Sequence, residues 1–147
     1  MSTGSGVVRV ETASADETET AGAELAGRLA PGNVVLVTGE LGSGKTTFVR
    51  GACRRLGVRE PVTSPTFAIG QVYAGAMGGR PLEVAHLDLY RLESLVGEDP
   101  GLIEDYVTAE RISFIEWPEV AGPRVERVAA TVTIEHAGGD RRRLAIA

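Results

Sequence analysis

The stretch Gly39-Glu40-Leu41-Gly42-Ser43-Gly44-Lys45-Thr46 constrains what this chain can become more than any other. It matches the phosphate-binding pattern G-x-x-x-x-G-K-[ST] at every fixed position, and its flanks are the ones that pattern requires. Before it, Val34-Val35-Leu36-Val37 is a short apolar run rich in β-branched residues, which predicts a buried strand. After it, residues 47–56 predict a helix ended by Gly57. A glycine loop between a strand and a helix points successive backbone N–H groups inward, and the helix adds unpaired N–H groups and the positive end of its dipole. Gly39, Glu40, Leu41, Gly42, Ser43, Gly44, Lys45, Thr46 and Thr47 would then surround the phosphates. Lys45 would bridge the β- and γ-phosphate oxygens, and Thr46 would offer its hydroxyl to a Mg²⁺ ion. A glycine turn beside a surface lysine is the competing reading, and it leaves both flanks unexplained. The expectation is a nucleoside triphosphate site.

A chain of 147 residues, 43% hydrophobic, is long enough for one packed core and short for two ordinary domains. A flexible leader over residues 1–6 and a single P-loop domain over 7–147 are expected. The net charge of −5 argues against an autonomous nucleic-acid binder, though not against meeting RNA through a partner. The apolar runs are strand-length, so no membrane span is expected. The N-terminus has neither a basic start nor an apolar core, so no signal peptide is expected. A single cysteine forms no internal disulfide and suits a reducing cytosol. Cys53 falls on the inner side of the helix after the loop and reads as a packing residue rather than a reactive one. His86 and His136 have no Cys or carboxylate at ligand spacing, which argues against zinc.

The remaining segments predict an α/β fold. Residues 7–12 alternate as a first strand. Ser14 and Glu17 form a capping box ahead of a helix that ends near Pro31-Gly32. Two prolines make 58–65 a loop. Strands follow at 67–73 and 82–87, and the glycine-rich segment 74–80 between them reads as a hairpin or loose loop. A short helix is expected at 101–107 and a core strand at 112–115. Residues 128–135 and 142–147 form a closing hairpin around Gly138-Gly139-Asp140. The sum is a P-loop NTPase-like three-layer sandwich with a mixed sheet, parallel in its centre and antiparallel at its edges.

A phosphate loop needs a carboxylate at the end of a neighbouring strand to hold Mg²⁺ or orient water. Asp88 follows Val84-Ala85-His86-Leu87, and Glu116 follows Ile112-Ser113-Phe114-Ile115, so each ends an apolar strand on the ligand side of an open sheet. The structural alternatives are a helix cap for Asp88 and a solvated loop acid for Glu116. Which acid takes metal and which handles water is left open by the residues alone. In Thr63-Ser64-Pro65-Thr66-Phe67, Pro65 holds Ser64 extended. Thr66 would then sense the γ-phosphate or Mg²⁺; an ordinary turn is the equal alternative. Arg50 and Arg91 are candidates for phosphate charge, set against surface or structural roles. Arg141-Arg142-Arg143 reads as a solvated edge that discourages strand pairing, with a partner or RNA contact as the alternative.

The P-loop block with Thr47-Phe48, the Thr63-Ser64-Pro65-Thr66-Phe67 block, His86-Leu87-Asp88-Leu89-Tyr90-Arg91-Leu92 and Ile115-Glu116-Trp117-Pro118-Glu119 together resemble the TsaE (YjeE) family. These are small bacterial ATPases of tRNA threonylcarbamoyladenosine synthesis. The D-L-Y-R-L and E-W-P-E blocks are far more specific than the P-loop, and the four blocks span nearly the whole chain in the family's order. The resemblance implies a cytoplasmic ATPase that acts with the proteins TsaD and TsaB and reaches tRNA through that complex. It implies ATP as substrate and Mg²⁺ as cofactor, with weak hydrolysis alone. By motif match Thr46 and Glu116 would be metal ligands, Asp88, also a metal candidate, the acid needed for hydrolysis, and Thr66 a switch residue. With Lys45, Asp88 and Glu116 form the catalytic set. Nucleotide contacts would also fall near Ala15 and Gly139. One departure is visible: after Leu92 the family's acidic helix start is replaced by Glu93-Ser94-Leu95-Val96-Gly97-Glu98-Asp99-Pro100, which would alter docking if that segment contacts a partner and leaves the nucleotide site alone.

Two rivals share the P-loop. A small-molecule kinase would need an arginine-bearing lid, for which only the 74–80 loop offers room. A GTPase switch would want Gly where Arg91 stands and an Asn-Lys-x-Asp-like guanine reader, which the sequence lacks.

Overall fold

Capping and strand periodicity dictate where the chain turns. In the computed structural model, which describes residues 6–64, 69–90, 92, 101–120 and 125–147, strand β1 (Val8–Thr12) leads into helix α1 (Ala15–Ala26). The Ser14 hydroxyl accepts the Glu17 N–H at 3.2 Å, and Glu17 reaches back to the Ala13 N–H at 2.8 Å. The Ser14 half of the expected capping box is therefore present and satisfies one donor a helix start leaves open, while Glu17 reaches back one residue beyond the cap, to Ala13. The helix stops at Gly27, earlier than the expected Pro31-Gly32. Strand β2 (Val34–Gly39) then feeds the glycine loop and helix α2 (Lys45–Arg55).

Strands β3 (Gly70–Met77) and β4 (Arg80–Asp88) form a hairpin. The segment 74–80 is strand on both sides of a two-residue turn, Gly78-Gly79, at φ of 59° and 80°, the left-handed pair that tight hairpins favour. Strand β5 (Arg111–Glu116), a single 3-10 turn (Pro118–Val120), β6 (Val128–His136) and β7 (Arg142–Ile146) complete the chain. All seven strands join one sheet in the order β1-β7-β6-β2-β5-β4-β3. Pairings β6–β2, β2–β5 and β5–β4 are parallel; the pairings flanking them are antiparallel. The expected parallel centre with antiparallel edges is what forms.

Helices α1 and α2 cover one face. Leu25, Phe48, Val49 and Cys53 pack there on Val35, Val37, Phe114 and Ile134. Cys53 is fully buried, and burial pushes its thiol up to about 12, so packing is its role. The opposite face buries Leu87, Leu89, Ile103 and Ile115 beneath a segment of hydrogen-bonded turns at 101–106. A helix was expected at 101–107. Only the Gly101–Asp105 and Ile103–Val107 bonds have helical spacing, so the third layer here is turns. A one-turn segment gains too few backbone bonds to propagate, and burial of Ile103 and Val107 fixes it instead. Among the described residues no helix is long and apolar enough to cross a membrane.

The two helices approach closely through glycines. A Cβ on Gly51 would collide with the Glu19 carbonyl, and one on Gly22 with that of Phe48. Gly51→Ala is therefore expected to lose about 1–3 kcal/mol of stability, as overpacked sites do. A urea midpoint equal to wild type would contradict this.

Candidate active site

The site is built where the parallel strands end. Asp88 closes β4 and Glu116 closes β5, and the two are register partners in the parallel ladder. Side chains alternate across a strand, so His86 and Asp88 share a face with Val84, and Glu116 shares one with Phe114. That is the face covered by α2, whose first residues are Lys45 and Thr46. The sheet thus delivers two carboxylates to the N-terminus of a helix, the topological position where open α/β sheets bind ligands.

The loop itself is shaped for an anion. A Cβ on Gly39 would collide with the Ile134 carbonyl, and Gly44 caps α2 in the left-handed region at φ 106°. No side chain caps that helix start, so its N–H groups are unclaimed by side chains. Ser43 Oγ is buried in the loop with no hydrogen-bond partner among the described residues.

Thr46 Oγ1 donates to Glu116 Oε2 at 2.9 Å and lies 2.9 Å from Ser64 Oγ. Glu116 is almost fully buried, and His86 Nε2 approaches the same Oε2 at 2.6 Å. Asp88 Oδ1 accepts the Tyr90 N–H at 3.0 Å. Burial raises the pKa of Asp88 above the ordinary value, helped by the Glu116 charge; the Tyr90 N–H, His86 and Lys45 oppose it. Hard oxygens from Thr46 and Glu116, with Asp88 alongside, are the donors Mg²⁺ prefers. That ion usually takes one or two protein oxygens and leaves the rest to phosphates and water. Among the described residues no group of three or more His, Cys, Asp or Glu is arranged to hold a metal.

Lys45 is buried, and its Nζ donates to the Gly39 and Glu40 carbonyls, both at 2.8 Å. It also lies over the Trp117 ring, 4.4 Å from the centroid. Burial lowers its pKa, while Glu116, Asp88 and Glu119 work against that. Trp117 sits at φ 59°, a conformation a bulky residue adopts only under constraint, and Tyr90 packs on it at 4.9 Å. These groups line a cavity of about 360 Å³ with Leu41, Thr47 and Arg142.

Arg142 corrects an expectation. Strand β7 lies between β1 and β6, so the arginine run is not a solvated sheet edge. Arg142 folds back onto the phosphate loop instead: Nε donates to the Ser43 carbonyl at 2.7 Å, and another nitrogen to the Gly139 carbonyl at 2.7 Å. It clasps the loop to the β6–β7 turn. Arg142→Ala is expected to weaken ADP binding about 10-fold, the worth of a charge-assisted hydrogen bond. Unchanged affinity by calorimetry would show that the clasp does not serve the nucleotide.

The structure brings together Lys45, Thr46, Asp88 and Glu116 as expected. Gly139 joins only through its carbonyl on Arg142. Ala15, exposed in the first turn of α1, does not line the cavity. Thr66, Arg91 and the divergent stretch 93–100 lie outside the described residues. Arg50 donates to the Val62 carbonyl at 3.1 Å, a structural role.

Comparison with known proteins agrees with this geometry. A sequence model described as threonylcarbamoyl adenosine biosynthesis protein TsaE matches residues 12–144. The chain belongs to the TsaE family. The TsaE protein of Streptomyces coelicolor is 39% identical over 119 residues, covering 81% of this chain and 79% of that one. The Treponema pallidum protein is 31% identical over 140 residues, covering 95% and 100%. The crystal structure of Bacillus subtilis YdiB superposes with a TM-score of 0.71 at 26% identity, over 96% of this chain and 84% of that chain.

The sequence reading missed Ser64, His86 and Arg142 as site residues. A period-two signal was present for His86, two residues before Asp88 on the same strand face. For Arg142 the same period pairs it with Leu144, a residue of the helix-covered core. Ser64 carried no comparable signal.

Proposed function

We propose that this chain is a Mg²⁺-dependent ATPase of tRNA threonylcarbamoyladenosine biosynthesis, acting in the cytoplasm with TsaD and TsaB to sustain their turnover. The observation that carries the reading is the Thr46–Glu116 hydrogen bond at the start of α2, with Asp88 alongside on the neighbouring strand. A threonine hydroxyl and a strand-end carboxylate in contact form the metal half of a triphosphate site. Membership of the TsaE family supports the pathway.

In this reading the loop N–H groups and the start of α2 bind the β-phosphate, and Lys45 exchanges its loop carbonyls for β- and γ-phosphate oxygens. Mg²⁺, when bound, would supply charge neutralisation to the triphosphate. Thr46 and Glu116 would hold it, Asp88 would orient the attacking water, and Thr66 would sense the γ-phosphate. Trp117 and Tyr90 wall the cavity and restrict bulk water. Contact with tRNA comes through the partner complex.

The test is a product assay. ATP should yield ADP and inorganic phosphate with no phosphorylated acceptor, and chelation of Mg²⁺ should abolish it. A phosphorylated small molecule, or a preference for GTP over ATP, would contradict the proposal.

A further inference from the structure

The Glu116 carboxylate is gripped from inside the sheet, and we propose that His86 is the positioning residue that fixes it for cation binding. By holding Oε2 from within the sheet, His86 fixes the orientation in which the carboxylate meets the ion. The inference rests on reading the cavity as a Mg²⁺–nucleotide site and deepens that reading.

His86 is fully buried on β4, and its Nε2 lies 2.6 Å from Glu116 Oε2. A carboxylate only accepts, so Nε2 carries the proton and donates it. The Thr46 hydroxyl gives its single proton to the same oxygen, so Ser64 Oγ is the donor in the 2.9 Å contact with Thr46. Oε2 therefore receives two donors, while Oε1 accepts none from the described residues. When a cation takes the Thr46 hydroxyl, His86 is the described donor that stays on the carboxylate.

Packing alone does not explain an imidazole here. Nδ1 is buried with no hydrogen-bond partner among the described residues, so the bond to Glu116 is the ring's only described polar contact. A leucine would fill the space beside Val84 without burying an unpaired nitrogen. The ring's contact with Glu116 is the described interaction that offsets this cost.

The test measures metal and nucleotide affinity separately on the full chain. Mn²⁺ is titrated with ADP present and free Mn²⁺ read by electron paramagnetic resonance. ADP binding in EDTA is read by calorimetry. His86→Leu should weaken Mn²⁺ binding about 10- to 100-fold, the usual effect of losing a partner behind a metal ligand. It should leave ADP affinity in EDTA at the wild-type value. His86→Gln, whose amide nitrogen reaches a similar position, should recover most of the loss. Should His86→Leu fail to fold, His86→Phe reads the same two affinities. Wild-type Mn²⁺ affinity in the apolar variant, a parallel loss of ADP binding in EDTA, or equal losses in the apolar and glutamine variants would overturn the positioning role. A wild-type chain that binds no ADP under either condition would instead overturn the nucleotide site itself.

Discussion

Lys45→Ala is expected to lower ATP affinity by about 100-fold or more, because two charge-assisted hydrogen bonds to phosphate are worth about 3–6 kcal/mol together. The surroundings of Lys45 explain why the loss should fall on the ligand rather than on the fold. Its ammonium is buried against the Gly39 and Glu40 carbonyls and the Trp117 face, and burial lowers its pKa. A buried cation so held gains little for stability, since desolvation offsets the contacts. Phosphate oxygens offer it full charge pairing. Calorimetry with ATP reads the effect directly, and affinity within a few-fold of wild type would remove Lys45 from the phosphate site.

Glu116→Ala and Asp88→Ala should each reduce ATP hydrolysis by about 100-fold, as loss of an electrostatic or acid–base group does. The two should differ in what else they change. Glu116 touches Thr46 and His86, so its loss should also weaken metal-dependent nucleotide binding. Asp88 bonds only the Tyr90 N–H among described donors, so its loss should spare binding and lower turnover. Near-normal turnover in either variant would take that residue out of the chemistry. Equal losses of affinity in both would contradict the division of roles.

Much of this was legible in the sequence because the relevant signals are local. The P-loop pattern, the Ser14–Glu17 box and the apolar runs ending at Asp88 and Glu116 each report on a few adjacent residues. Their consequences follow from strand and helix geometry. What was hidden depends on register and on chain folding back. Strands β4 and β5 are joined through 89–110, and nothing in either segment states that His86 will lie under Glu116. Arg142 is about 100 positions from the loop it clasps, and only the strand order brings it there, while Arg141 and Arg143 stay exposed. The 101–107 segment misled for the opposite reason. Its apolar spacing suits a helix, but both Ile103 and Val107 are satisfied by packing on the sheet without one.

The central claim is that ATP hydrolysis here serves a partner's active site in tRNA modification. Reconstitution with TsaB, TsaD and unmodified tRNA tests it most directly, following phosphate release and threonylcarbamoyladenosine formation together. The account predicts that the partners raise ATP hydrolysis well above that of the isolated chain. It also predicts that modified tRNA accumulates over repeated turnovers only when the wild-type chain, not Lys45→Ala, is present. Hydrolysis unchanged by the partners, with tRNA modified equally in the chain's absence, would contradict it.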